Sequence, residues 1–492
     1  MELILDIKRL GPVKDSRIVW RPLTVFIGPN NTGKTYTAYL IHALLNTYPD
    51  QCGLGEEKIS ELFLHERLKF NFEELKEQWI EAWKKEIAES MLPNFWRKYF
   101  GIENKIPKLE ISLITKEEKV QKLEFEGDIP ISGIVGEIDE NTLEGAEVGR
   151  LFYSAFLKKD GNIFEVYIPY DSQDEHVFGE YLEEYDTDTE YYFFEETFCE
   201  EFAYFLGFPR HNLIIPSERT SFLFYRQWFV LKNQLTQLWR ENISIKKWRK
   251  KLFSLLQYIE FPEVFEDFLT FLLLSERKKV SQVYDKVIAL LEQKLLKGRI
   301  NFKKDEFWFN FGEGEIKISG ASSGVKALLP LEKFLRSAPE GAFLVIDEPE
   351  MHLHPEAQVI LAIALAMAVN LGLRVLLTTH SPYILDTFNF LAWSYRIREK
   401  IKENGLSSLE ERLKNILKAP PFEVPEEALL DPSRFSAYFF RTDGQVEDIR
   451  KIPKEVPEVD IDWSTFSQVS EALWEKLGLL GELQDEILKR EQ

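Results

Sequence analysis

Cysteine is almost missing from this chain of 492 residues: Cys52 and Cys199 are its only two. So low a number excludes a disulfide framework and a four-thiolate zinc site, and fits a reducing compartment such as the cytoplasm. Long apolar runs are missing too. The longest near-continuous one, AQVILAIALAMAV at 357–369, has 13 residues, whereas a membrane-spanning helix needs about 20. It reads as a buried helix, and no membrane association is expected. The opening MELILDIKRLG lacks the basic start and apolar centre of a signal peptide and reads as a strand. Basic residues are in deficit, 61 Lys and Arg against 82 Asp and Glu, which excludes a surface that is basic all over.

The deficit is uneven. Residues 160–209 hold 15 Asp or Glu and no Lys or Arg, whereas 226–304 hold 17 Lys or Arg against 8 Asp or Glu. The middle of the chain is electrically bipolar. At 45% hydrophobic and 14% aromatic content the chain fills real cores, and its length predicts two or three domains. Strands are predicted at 2–8 and 23–27, a helix from about Lys34 to Asn46, and a turn-rich break near residue 50. The stretch 57–100 reads as helical, 108–125 and 150–169 as short strands, and 219–297 as mostly helical. From 341 to 380 the pattern is strand, helix, strand with apolar strands, a parallel αβ unit whose polar residues fall at the carboxyl ends of the strands. A last amphipathic helix is expected from about Ser464.

Four segments carry chemistry. GPNNTGKT, Gly28-Pro29-Asn30-Asn31-Thr32-Gly33-Lys34-Thr35, follows an apolar strand and opens a helix. Glycines let backbone N–H groups wrap phosphates, and the helix start adds its dipole. Lys34 is expected to reach the β and γ phosphates of ATP and Thr35 to ligate Mg²⁺. FLVIDEPEMHLHP, 343–355, delivers Asp347 and Glu348 to a strand end. Asp347 is the expected Mg²⁺ ligand and Glu348 the expected general base for the attacking water. In LLTTHSP, His380 ends another buried strand and is placed to meet a γ-phosphate or orient water. In ISGASSGVKALLPL, Ser322, Ser323 and Gly324 open a helix as a second anion site. His352 and His354, with His380, are a weaker candidate metal set.

Taken together, these segments resemble the ATP-binding-cassette (ABC-type) ATPases of the structural-maintenance-of-chromosomes (SMC), RecF and OLD lineage, and most closely its compact "AAA domain" members of prokaryotic defence and repair. Gly28–Thr35 matches the family's GxNxxGKT, Asp347–Pro355 its DEPExHLHP, and Thr379–Pro382 its THSP; Ala321–Lys326 takes the place of the signature LSGGEK, departing at Ala321, Ser323 and Val325. Ile215–Arg219, IPSER, resembles a segment these proteins carry before the second half of the head. The resemblance implies an α/β fold, a P-loop NTPase head of ABC type with a mixed sheet and flanking helices, plus a large inserted α+β lobe. The head is expected from 1–50 and 299–492, with 210–220 contributing, and the lobe from 51–298. It further implies ATP hydrolysis, and a homodimer in which each signature touches the γ-phosphate bound by the other copy. It implies a role in DNA repair or mobile-element defence with a separate nuclease or toxin as effector.

The basic stretch KKWRKK, Lys246–Lys251, and Arg277-Lys278-Lys279 are candidates for following DNA, weighed against a solvated helix face. Two alternatives remain: an ATP-regulated nuclease using Asp460 and Asp462, and a scaffold that binds ATP without turnover.

Overall fold

A computed structural model describes residues 2–52, 54, 58, 67–114, 123–127, 151–157, 163–167, 195, 198–200, 202–204, 206–209, 211–221, 262–274, 281–303, 306–405, 407–451 and 460–461. The basic stretches 246–251 and 277–279, Asp462, most of the acidic run and the expected last helix lie outside the described residues. The chain divides into two compact units: Met1–Glu2, Leu40–Trp96 and Leu113–Arg210 form one, and Leu3–Tyr39, Arg97–Ser112 and His211–Gln492 the other.

The first unit has a four-stranded antiparallel sheet, Arg67–Asn71, Ile163–Tyr167, Leu151–Leu157 and Leu123–Gly127 in spatial order. Arg67–Asn71 was expected to be helical; pairing with Ile163–Tyr167, almost a hundred residues away, overrides its local preference. Asn71 then caps the helix Phe72–Glu86, its side chain accepting from the Glu73 and Glu74 amides. That helix buries Phe72, Leu75, Trp79 and Trp83, which recur at three- and four-residue spacing along one face. Trp79 Nε1 donates to the Cys199 carbonyl at 2.9 Å, and Phe208 meets both tryptophans edge to face.

In the second unit, β1 (Glu2–Leu10) and β2 (Val13–Trp20) form an antiparallel hairpin that leads into β3 (Leu23–Ile27). The glycine loop and α1 (Lys34–Leu45) follow, the helix residues from Leu40 on counting with the first unit. The remaining elements are β4 (Asn212–Ile215), α2 (Ser323–Ser337), β5 (Phe343–Asp347), α3 (Pro355–Asn370), β6 (Arg374–Thr379), α4 (Pro382–Glu403), β7 (Phe435–Phe440) and β8 (Val446–Asp448). They build a six-stranded sheet in the order β8-β7-β3-β6-β5-β4, parallel except for the edge strand β8. All residues of β3 and β5 are buried, as strands covered on both faces must be. Helix α3 is buried all round from Leu361 to Val369, which is why its sequence is one apolar run. No described helix is long and apolar enough to cross a membrane.

Register fixes the site. Ile27, Thr379 and Asp347 end adjacent parallel strands, with Ile346 beside Ile215 of β4. Four loops therefore leave the sheet along one edge, where the crevice of an open parallel sheet lies. The helices Glu263–Leu274 and Asp285–Leu290 had been expected in the inserted lobe. Phe268, Leu269, Tyr284 and Val287 instead share a core with Leu344, Ile346 and Leu377, so the described residues from 262 to 298 fold with the sheet. Their apolar faces need a partner, and the sheet supplies it.

Candidate nucleotide site

The glycine loop is held by close approaches that admit no side chain. Gly28 lies at φ +137°, and a Cβ there would stand 2.3 Å from the Phe440 carbonyl oxygen of β7. Gly33 lies at φ +97°, with Val13 filling the space that a side chain would need. Thr32 Oγ1 donates to the Pro29 carbonyl at 2.9 Å, closing the loop, while Asn30 and Asn31 are exposed. Lys34 is buried, and its Nζ donates to the Gly28 and Pro29 carbonyls at 2.9 and 2.7 Å. Burial lowers its pKa, and the negative field of Glu348, Asp347 and Glu350 partly opposes that.

Thr35 Oγ1 donates to Asp347 at 3.1 and 3.3 Å to the two carboxylate oxygens, across 312 positions of sequence. Thr378 Oγ1, one strand over, donates to Asp347 Oδ1. Even so, burial pushes the Asp347 carboxyl above the ordinary range, outweighing both hydroxyls. A hydroxyl and a carboxylate side by side are the hard oxygen donors that Mg²⁺ takes, so Thr35 and Asp347 would hold such an ion. Among the described residues no group of three or more His, Cys, Asp or Glu is arranged to hold a metal by itself. His352 and His354 are exposed.

Glu348 adopts φ +48°, a left-handed conformation uncommon for a non-glycine residue. Its amide is held in place by the Thr378 carbonyl at 3.1 Å and hydroxyl at 3.2 Å. The turn leaves the carboxylate partly open to solvent, with Oε1 3.7 Å from His380 Nε2. Burial, and then Lys34, hold the His380 imidazole below its ordinary 6.5, so it is neutral at pH 7. The structure thus brings Lys34, Thr35, Asp347, Glu348 and His380 to one sheet edge. Ser322 and Ser323 lie exposed at the start of α2, where Ser322 caps the helix by accepting from the Val325 amide. Gly324 faces the His352 carbonyl and the Leu353 side chain.

Two participants were not read from the sequence. Glu350 is half-buried and accepts the His380 amide at 2.6 Å. Arg219, 2% exposed, directs its N–H donors at the carbonyls of Asp347, Glu348, Pro349, Ala327 and Pro216, at 3.0 to 3.3 Å. The only local signal for either is a charged residue just beyond a buried strand. The resemblance marked IPSER but gave Arg219 no task.

The family described as "AAA domain, putative AbiEii toxin, Type IV TA system" matches residues 145–386, just under half of the chain. That span contains Ser322–Gly324, Asp347, Glu348 and His380 but not the glycine loop. No curated protein matches the chain. Similar solved structures include an Smc head bound to the C-winged helix domain of ScpA, 14% identical over 78% of this chain and 90% of that one, TM-score 0.30. An Smc head with an extended coiled coil bound to the C-terminal domain of ScpA, derived from Pyrococcus furiosus, is 13% identical over 79% and 92%, TM-score 0.30. The SMC head domain from Thermotoga maritima is 14% identical over 78% and 90%, TM-score 0.26. Residues 145–386 are thus similar to that AAA-domain family, and the parallel sheet with the glycine loop at its edge is an α/β P-loop nucleotide-binding fold.

Proposed function

We propose that the chain hydrolyses ATP and uses it as a dimerisation switch. The observation that carries this reading is the Thr35–Asp347 contact, which joins the glycine loop to the acid pair from opposite ends of the chain. In this reading the loop amides and Lys34 bind the triphosphate, whose charge draws Lys34 away from its own loop carbonyls. Thr35 and Asp347 would hold Mg²⁺, which neutralises phosphate charge. Glu348 accepts a proton from the attacking water, and neutral His380, 3.7 Å away, donates a hydrogen bond to that water or to the γ-phosphate. Ser322, Ser323 and Gly324, at an exposed helix start, are offered to the γ-phosphate of a second copy.

ATP thereby joins two heads, and hydrolysis parts them. The matched family is described as a putative toxin of a Type IV TA system; a role in DNA repair or mobile-element defence with a separate effector is the wider reading carried by the resemblance. DNA remains a candidate partner through the basic stretches named above. The test is Glu348→Gln. It should keep ATP affinity, lose about 10²- to 10⁴-fold in turnover, and accumulate as an ATP-dependent dimer in light scattering. Wild-type turnover in that variant would remove Glu348 from the base role.

A further inference from the structure

Arg219 is a buried cation whose hydrogen bonds all end on backbone. Its Nε donates to the Ala327 carbonyl of α2 at 3.2 Å, one terminal nitrogen to Pro216 and Asp347, and the other to Glu348 and Pro349. All five of its N–H donors are therefore used, across three segments. Three of the acceptors are consecutive carbonyls where β5 turns, the same turn that throws Glu348 to φ +48°. The fourth, the Ala327 carbonyl, lies in α2. A guanidinium desolvated this deeply is costly unless every donor is matched. Burial does lower its pKa, to about 10, while the nearby carboxylates of Glu350, Asp347 and Glu348 act to hold the charge.

We propose that Arg219 is a positioning residue that locks α2, and with it Ser322–Gly324, to the acid-bearing end of β5. What one copy binds at its own phosphates then sets how it presents its signature to the other copy. The inference rests on the switch reading above and adds its internal coupling. The physical argument is rigidity. One planar fork with five fixed donors ties the helix to the turn, so neither shifts without the other or without stranding a buried charge. Lysine keeps the charge but is a point donor and does not span both segments.

The experiment uses the full chain carrying Arg219→Lys and Arg219→Met, each also combined with Glu348→Gln. Three quantities are measured: affinity for a fluorescent ATP analogue under dilute conditions, kcat and KM for ATP, and ATP-dependent dimerisation by light scattering. The expected result is near-wild-type affinity, kcat lower by about 10- to 100-fold, and loss of the dimer that Glu348→Gln alone forms. A generally loosened fold would weaken affinity together with kcat. Arg219→Lys with wild-type kcat and dimerisation overturns the proposal.

If both variants fail to fold, hydrogen exchange on the wild-type chain with Mg-ADP decides. Slower exchange at 325–331 together with 28–36 supports the coupling, and a change confined to 28–36 refutes it. A wild-type chain that binds nucleotide but neither turns it over nor dimerises sinks the switch reading alone, and the same exchange result still judges Arg219.

Discussion

Asp347→Asn should separate stability from ligand response, because the two respond to the carboxylate in opposite ways. Asp347 is 5% exposed, and burial outweighs its hydrogen bonds from Thr35 and Thr378 in raising its pKa. For a carboxyl raised on folding, the favourable contribution is present below the unfolded value of 3.8 and is lost as pH rises through the folded value. At pH 7.5 the free protein therefore bears the cost of holding an ionisable carboxyl where burial disfavours its charge. Asparagine removes that charge and still accepts both hydroxyls through its amide oxygen, so the nucleotide-free variant should melt no lower than wild type. Any advantage should shrink toward pH 4.

With Mg-ATP the order reverses. A ligand at 100 times its Kd stabilises by about 2.7 kcal/mol. If losing the metal-binding carboxylate weakens Mg-ATP by about 10- to 100-fold, the same ligand concentration gives only about 1.4 to 0.4 kcal/mol. The deficit of about 1.3 to 2.3 kcal/mol corresponds to very roughly 3–9 °C in melting temperature. The assay is scanning fluorimetry with Mg²⁺ titrated at fixed ATP. An Asn variant with the wild-type Mg²⁺-dependent rise would refute the assignment of Asp347 as a metal ligand.

Gly324→Ala tests the trans contact: its Cβ would meet the His352 carbonyl at 3.4 Å, an ordinary distance, so the variant should fold normally. Combined with Glu348→Gln, it should reduce ATP-dependent dimerisation, and an undiminished dimer would exclude close approach of phosphate at Gly324. The His380 pKa is depressed in the fold, so its neutral form and the stability it contributes are present above 6.5 and lost as pH falls through the folded value. Turnover should accordingly decline on the acid side, and His380→Gln should flatten that limb; an unchanged limb would assign it to another group. Cys52 and Cys199 are 1% and 0% exposed, and burial pushes the Cys199 thiol up, so neither should react with a thiol reagent until the protein is denatured. Rapid labelling of the native protein would contradict that burial.

The sequence by itself determined the parts whose physics is local. A glycine loop between an apolar strand and a helix has few other uses, and Gly28–Thr35 was legible for that reason. Asp347, Glu348 and His380 were legible as polar ends of apolar strands, and 357–369 as a helix buried all round. The tertiary structure alone decided which of these ends meet. The order β8-β7-β3-β6-β5-β4 puts Thr35 against Asp347, and Thr378 beneath both Asp347 and Glu348. Arg219 and Glu350 were hidden because their hydrogen bonds to the acid turn and to His380 end on backbone groups, which carry no residue identity to read. Arg67–Asn71 became a strand, and 263–274 joined the sheet's core, because long-range pairing and burial outweigh propensities of a few tenths of a kcal/mol per residue.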